Sequence, residues 1–222
     1  MPRVFVPEPK NFYLQHRNQV KAERWGKIVP LTPEGSCLGL EPDRIKASVA
    51  RAVLAFEDED FILLDGSNAH CAVTASLVAV LHDRLNLLLW DVSNSDYISR
   101  SLDLSAIPRA IVSGVPPRVY ITNYIHGDSP PGYITIPLTS GNDSDVLEPQ
   151  LLQGRMLRIL VNSQEEDFLV PSGSKTHCVV GSTIMSRMHG RVNYFLWNTS
   201  SRQYLPRSCL FSCEDLQKLG SI

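Results

Sequence analysis

Glu59–Cys71 reads EDFILLDGSNAHC, and Glu166–Cys178 reads EDFLVPSGSKTHC. The second stretch follows the first at a constant spacing of 107 residues. The same spacing relates Pro30-Leu31-Thr32 to Pro137-Leu138-Thr139, and Leu89-Trp90 to Leu196-Trp197. We therefore interpret the chain as a tandem duplication. Residues that both copies kept are candidates for a shared structural or functional role.

The duplication predicts two homologous α/β domains, at residues 1–104 and 118–222. Copies of this length are large enough to bury a core. Residues 105–117, SAIPRAIVSGVPP, contain three prolines and no acidic side chain, and we interpret them as the linker. Because the two copies lie in one chain, the expected arrangement is an internal pseudo-dimer.

Hydrophobic patterning predicts the order β-β-α-β-α-β-β in each copy. The continuous apolar runs at Phe61–Leu64 and Phe168–Val170 are typical of strands buried on both faces. Apolar residues at helical spacing follow Pro42, and a second helix is expected from about Asn68 to Arg84. The expected result is a small mixed sheet with a parallel core, an antiparallel edge and flanking helices.

The copies differ most near their beginnings. The opening strand Arg3–Val6 matches Arg118–Ile121 at a spacing of 115 residues, so the first copy holds eight additional residues before the next strand. These residues fall within the polar segment Pro7–Trp25, for which we predict no regular element. An insertion of this kind is either a surface elaboration or a specific binding part.

Composition excludes several classes of protein. With a net charge of −2 the chain lacks the overall basic charge of a nucleic-acid-binding protein, so nucleic acid is an improbable partner. No apolar run is long enough to span a bilayer, and Met1–Glu8 does not resemble a signal peptide. The five cysteines do not form a disulfide framework. We therefore expect a cytoplasmic protein that does not bind membranes, in the host cell if it is viral.

The candidate ligand-binding residues lie where a buried strand passes into a helix. Gly66 and Ser67 form the turn in the first copy, and His70 follows on the first turn of the helix. Gly173, Ser174 and His177 repeat this arrangement. The serine is expected to cap the helix, whose N-terminal N–H groups attract anions. The alternative is purely structural: a glycine for the turn, a serine cap and a buried histidine.

Two carboxylates distinguish the first copy. Asp65 and Asp91 end neighbouring strands, whereas the second copy has Ser172 and Asn198 there. One hypothesis is a divalent-cation or acid–base site in the first copy, with His70 as base and Ser67 or Cys71 in support. In the other interpretation Asp91 forms a turn, as Asn198 would. The pattern contains no cofactor motif, and we expect no cofactor.

The pattern Asp60 … Gly66 … Leu89-Trp90-Asp91 … Tyr97 resembles that of small proteins of tailed phages, which usually carry it once. The resemblance covers most of each repeat. It implies a viral or mobile-element accessory protein and brings no activity with it.

Three functional hypotheses follow. The favoured one is a non-enzymatic regulatory protein that binds a small anionic ligand, such as a nucleotide, at helix N-termini. The second is a metal-assisted hydrolase or phosphoryl-transfer enzyme that uses Asp65, Asp91 and His70. The third is a virion or assembly component with a protein partner. If the helix N-termini of the two copies face each other, they form a composite pocket; if they face apart, protein assembly is favoured.

Overall fold

A computed structural model describes residues 1–9, 16–32, 40–108, 116–123, 130–140 and 145–211. The first half of the described chain contains the elements β1 Arg3–Val6, α1 His16–Glu23, β2 Lys27–Pro30, α2 Pro42–Leu54, β3 Phe61–Leu63, α3 Asn68–Leu81, β4 Arg84–Asp91 and β5 Asp96–Asp103. The second half contains β6 Val119–Ile121, β7 Thr135–Pro137, a short 3-10 helix Asp145–Leu147, α4 Pro149–Leu160, β8 Phe168–Val170, α5 Lys175–His189, β9 Arg191–Asn198 and β10 Gln203–Leu210.

Each half builds a five-stranded mixed sheet. The strand order is β2-β1-β3-β4-β5 in the first sheet and β7-β6-β8-β9-β10 in the second. Four strands of each sheet are parallel, and β5 and β10 are the antiparallel edges. The predicted α/β fold class is therefore confirmed, and the two similar sheets fit the tandem arrangement. Pro30 and Pro137 lie in the edge strands β2 and β7, where a missing N–H group is tolerated.

One helix and one helix end differ from the sequence prediction. Helix α1 lies in the insertion, where no element is predicted, because its sequence HRNQVKAE is largely polar. Of its residues 18–23, whose burial the structure describes, only Ala22 is buried. Helix α3 ends at Leu81 rather than near Arg84. His82 already has extended backbone angles, φ −128° and ψ 151°, so the chain turns directly into β4.

The helices α2–α5 lie between the two sheets and share one apolar core with their inner faces. Phe5, Ile45 and Leu77 of the first half belong to the same buried cluster as Leu169 and Tyr194 of the second. The outer faces of the sheets form two separate smaller clusters around Leu88 and Phe195. The halves therefore bury their largest apolar surfaces against each other.

Helices α3 and α5 run side by side in the same direction. The amide of Asn68, at the start of α3, donates to the carbonyl oxygens of Pro171 and Gly173, which precede α5. At the other end, the Arg187 guanidinium of α5 donates to the carbonyl oxygen of Ala79 at 3.1 Å. This parallel pairing brings the two helix N-termini together at one edge of the molecule.

Several identities between the copies are explained by one buried network. The carboxylate of Asp60 accepts hydrogen bonds from the backbone N–H groups of Arg3 and Glu57, at 2.7 and 2.8 Å, and pairs with the Arg3 guanidinium at 2.6 Å. The Asn86 amide donates to the carbonyl oxygen of Asp60. Asp167, Arg118 and Asn193 repeat these contacts in the second half. These residues serve the fold.

Candidate functional site

The turn before α3 is formed by Gly66 and Ser67 as the sequence predicts. Gly66 has φ +98°, and a Cβ atom there would lie 2.4 Å from the Cβ of Glu8. The Ser67 hydroxyl caps the helix by accepting the backbone N–H of His70 at 3.3 Å. The turn is therefore pressed against the segment that follows β1, and a side chain on Gly66 would not fit.

Glu8 brings a carboxylate to the N-terminus of α3. Its Oε2 accepts the backbone N–H of Ser67 at 2.8 Å and lies 3.3 Å from Nδ1 of His70. The Ser67 Oγ also lies 2.8 Å from that Nδ1. Glu8 and His70 are both buried, with 3% and 0% of their surfaces exposed. The positive end of the helix dipole is thus already matched by an acidic group of the chain.

The second half has the same turn without the acidic group. The hydroxyl of Ser174 caps α5 and lies 2.6 Å from Nδ1 of His177. Gly173 has φ +84°, and its Cβ position would be 2.6 Å from the Cβ of Asn123. Asn123 follows Glu8 by 115 residues, the spacing that relates β6 to β1, so the two residues are counterparts. The Oδ1 atom of Asn123 is buried and has no hydrogen-bond partner among the described residues.

The histidines lie behind the helix N-termini rather than on the surface. His70 and His177 are fully buried, so neither contacts solvent directly. In the first half Ser67 and Glu8 both approach Nδ1 of His70. A nucleophile activated by a histidine needs its hydroxyl on one ring nitrogen and the orienting carboxylate on the other. Ser67, His70 and Glu8 do not have that arrangement.

The cysteines repeated in both halves do not have the environment of an activated thiol. Cys71 and Cys178 are completely buried, and burial raises the pKa of both thiols, that of Cys178 to about 12. A raised pKa disfavours the reactive thiolate. Cys71, Cys178 and Cys209 are free, whereas Cys37 and Cys213 lie outside the described residues.

Asp65 and Asp91 are both largely buried at the ends of their strands. The carboxylate of Asp91 accepts the backbone N–H of Ser93 at 2.9 Å and the amide of Asn94 at 2.6 Å. The hydrogen bond from Asn94 is the main cause of a lowered Asp91 pKa. Asn198 accepts the N–H of Ser200 in the same way, so the two residues have the same turn-forming contacts. Within the described ranges, no group of three or more His, Cys, Asp or Glu side chains is placed to hold a metal ion.

His82 and His189 lie opposite the apolar side of their helices, so the helical pattern predicts that both are exposed. In the structure both are partly buried. His82 stacks edge-on against Phe56 with ring centroids 5.4 Å apart. The Nε2 atom of His189 lies 2.8 Å from the Ser163 hydroxyl. Burial lowers the His189 pKa. Both histidines lie at helix ends, next to residues of neighbouring segments that partly bury them. The helical pattern alone does not predict these contacts.

The adjacent helix N-termini open into two related clefts. The first cleft, of about 570 Å³, is bounded by Ser67 and Asn68 of one half and by Ser172 and Trp197 of the other. The second, of about 380 Å³, is bounded by Ser174 and Lys175 on one side and by Leu89 and Trp90 on the other. In each cleft the helix N-terminus of one half faces strand ends of the other half, as in a composite pocket.

The clefts differ in charge. Asn68 of the first half corresponds to Lys175 of the second, and Lys175 lines the second cleft. The N-terminus of α3 is matched by the Glu8 carboxylate, while that of α5 has the neutral Asn123 behind it. The second cleft therefore combines a helix N-terminus with a lysine, and it is the more favourable of the two for an anion.

The sequence of the first half matches a known protein family. Residues 2–104 match the model of the Phage Pam3 gp32-like protein family. This match confirms the resemblance to phage-type proteins, and it includes Glu8, Ser67 and His70. It ends at residue 104, so the second half lies outside the gp32-like match. No curated protein and no solved structure matches the chain.

The gp32-like match fits a viral accessory protein in general. In the described part of the molecule, no helix is long and apolar enough to cross a membrane.

Sequence reasoning missed three residues of this site. Glu8 and Asn123 lie in the segments that follow β1 and β6, far in sequence from the glycine turns they touch. The spacing of 115 residues already aligns them, and their difference in charge is the signal that identifies them. Lys175 is one of the positions at which the copies differ inside the otherwise repeated turn.

Proposed function

We propose that this protein is a non-enzymatic binding and regulatory accessory protein of a phage or mobile element. In this proposal residues 1–104 and 118–222 form an internal pseudo-dimer in the host cytoplasm. It binds a small anionic ligand, such as a nucleotide, in the second cleft. The observation that carries the proposal is that Asn123, against the Gly173 turn, stands where the first half has Glu8, while Lys175 lines the cleft.

Because Asn123 replaces the acidic Glu8 in the second half, the N-terminus of α5 is available to an anion while that of α3 is not. At α3 the Glu8 carboxylate accepts the Ser67 N–H at 2.8 Å and supplies the negative charge that the helix end favours. At α5 no acidic side chain of the described residues takes that place, and Lys175 adds a positive charge. A phosphate at this end would receive hydrogen bonds from backbone N–H groups and the attraction of the lysine.

The second cleft also has the size and composition of a small-molecule site. Its volume of about 380 Å³ falls in the range of ligand pockets. Leu89 and Trp90 supply apolar surface opposite the polar residues Ser174, Lys175 and Thr176. Apolar surface beside polar and basic groups favours a ligand that carries an apolar part next to its anionic group, such as a nucleotide, over an inorganic anion.

The test is thermal unfolding of the full chain with nucleotides, cyclic oligonucleotides, inorganic phosphate and divalent cations. A ligand present at about 100 times its dissociation constant stabilises the folded state by about 2.7 kcal/mol. We expect nucleotides to raise the unfolding temperature, and phosphate alone to raise it less. A shift with divalent cations alone that Asp65→Ala abolishes would instead support the metal-assisted enzyme.

Substitutions at Asn123 and Lys175 test whether the nucleotide binds in the second cleft. Asn123→Glu places a carboxylate where the first half already accommodates one, and it is expected to abolish the nucleotide shift, as is Lys175→Ala. Lys27→Ala, at an exposed lysine of β2, is the matched control and should keep the shift. If Asn123→Glu and Lys175→Ala bind nucleotides as well as the natural chain, or if no nucleotide shifts unfolding, the proposed site is wrong.

A further inference from the structure

The outer faces of the two sheets are covered differently. In the first half, helix α1 packs on this face, and its Ala22 is completely buried in a cluster with Val4, Leu88 and Tyr97. The ring of Trp25, just after α1, meets Phe61 edge-on with centroids 5.7 Å apart. A short helix of the chain itself thus shields the outer face of the first sheet.

Among the described residues the second half has no counterpart of α1, and the connection between β6 and β7 is seven residues shorter than that between β1 and β2. Tyr133 takes the position of Trp25 and meets Phe168, the counterpart of Phe61, at 5.8 Å. Beyond Tyr133 no described residue covers this face. Trp197 has 43% of its surface exposed and Tyr133 has 40%, whereas Trp90, the counterpart of Trp197, is partly buried.

An open groove of about 510 Å³ lies on this face. Pro130, Tyr133 and Phe195 line it together with Trp197, Arg202 and Gln203. The equivalent position in the first half is where Lys21 of α1 lies over the ring of Trp90, 5.1 Å from its centroid. The groove therefore corresponds to the volume that α1 fills in the first half.

The charges around the groove are the reverse of those under α1. In the first half, Lys21 donates to the carbonyl oxygen of Ser95, and Arg24 pairs with Asp96 at 2.6 Å. In the second half, Arg202 replaces Ser95 and Gln203 replaces Asp96. The lining of the groove therefore has one positive charge and no acidic group among the described residues, which favours an acidic occupant.

We propose that the groove formed by Tyr133, Phe195, Trp197 and Arg202, here called the Trp197 groove, binds an acidic amphipathic helix of a partner protein. The helix lies as α1 does on the first sheet, with a small residue against the aromatic rings and a carboxylate beside Arg202. This mode, in which the apolar side of a helix fills a hydrophobic groove, is common in peptide recognition. The proposal does not depend on the anion site, which involves Lys175 and Asn123.

The test measures binding of two helical peptides to the full chain by fluorescence anisotropy. Both carry the sequence of residues 16–24, which ends before Trp25 because Tyr133 already takes that place. A side-chain crosslink between positions 19 and 23 stabilises the helix, since short helices are marginal in water. One peptide keeps Lys21 and Arg24, and the other carries Lys21→Glu and Arg24→Glu.

We expect the acidic peptide to bind about tenfold more tightly than the basic one. Trp197→Ala should remove binding, and Arg202→Glu should reverse the preference between the peptides. Val92→Ala, which changes an exposed apolar residue of the first half, is the matched control and should bind normally. Thermal unfolding of each variant shows whether a loss of peptide binding is caused by the substituted groove residue or by unfolding of the protein.

Three outcomes would overturn the proposal. The first is that neither peptide binds the folded natural chain. The second is that Arg202→Glu leaves the preference unchanged. The third is that the groove has another occupant: self-association that Trp197→Ala abolishes would assign it to a second copy, and oligonucleotide binding that Trp197→Ala abolishes would assign it to nucleic acid.

Discussion

The ammonium group of Lys46 donates a hydrogen bond to the carbonyl oxygen of Leu210 at 2.8 Å, joining α2 of the first half to β10 of the second. Gln153 donates in the same way to the carbonyl oxygen of Asp103. Residues 153 and 210 follow residues 46 and 103 by 107 positions, so the two contacts are mirror counterparts. Such pairs are expected when two similar units meet about a two-fold axis.

This pair of contacts predicts the effect of substitutions at Lys46. Lys46→Met removes the donor and leaves the Leu210 carbonyl without it, so we expect a loss of about 1–3 kcal/mol in the free energy of unfolding. Lys46→Gln introduces the residue of the second half and should cost less. Urea denaturation monitored by tryptophan fluorescence measures both. Equal losses for the two variants would show that the hydrogen bond is not the cause.

Alanine substitutions at glycines are expected to change the free energy of unfolding in opposite directions, depending on where the glycine lies. Gly66→Ala and Gly173→Ala place a Cβ atom in a positive-φ conformation and within 2.6 Å of another Cβ. We expect each to destabilise the fold by at least about 2 kcal/mol. Gly154→Ala, inside α4 and without a neighbour within 4 Å of the new Cβ, should stabilise by about 0.5–1 kcal/mol. Chemical denaturation of the three variants checks this order.

The buried carboxylate of Asp60 predicts a strong effect on stability. Asp60→Asn removes the charge that pairs with the Arg3 guanidinium and leaves Asp60's buried N–H partners with a weaker acceptor. Because the Arg3 side chain is partly exposed, we expect a loss of about 1–3 kcal/mol in the free energy of unfolding, measured by urea denaturation. Asp58→Asn, at a carboxylate that is 79% exposed, is the matched control and should have little effect. A stable Asp60→Asn protein would contradict the structural role assigned to this identity between the copies.

His189 predicts a pH dependence of stability. Burial lowers the pKa of this histidine below its usual value near 6.5, although Asp167 and Glu165 act in the opposite direction. Below about pH 6.5 the unfolded chain therefore binds more protons at this residue than the folded chain, and stability falls as pH falls. Urea denaturation between pH 5 and pH 7.5 measures this slope.

The matched variant for this prediction is His189→Gln, which does not titrate. The difference in unfolding free energy between the natural chain and His189→Gln should change with pH in that window and level off above it. A difference that stays constant from pH 5 to pH 7.5 would show that His189 titrates normally in the folded protein.

The glycine, serine and histidine of each turn show how far the sequence could predict the site. Gly66 and Ser67 recur as Gly173 and Ser174 because a positive φ and a helix cap are local requirements, so the pattern predicts both correctly. The burial of His70 and the carboxylate of Glu8 beside it are not local. They depend on β1 pairing with β3 and thus on residues 57 or more positions apart.

The sequence by itself predicted the tandem repeat, from identities at a constant spacing, and it determined the α/β class. It also determined the strand–turn–helix junctions and the antiparallel edges, because these depend on patterns within short segments. Only the tertiary structure decided that α3 and α5 lie parallel, that Glu8 and Asn123 lie against the glycine turns, and that α1 covers one sheet while Trp197 is exposed on the other. These relationships come from packing between distant segments. Hydrophobic periodicity reports which side of an element is buried and does not identify its neighbour.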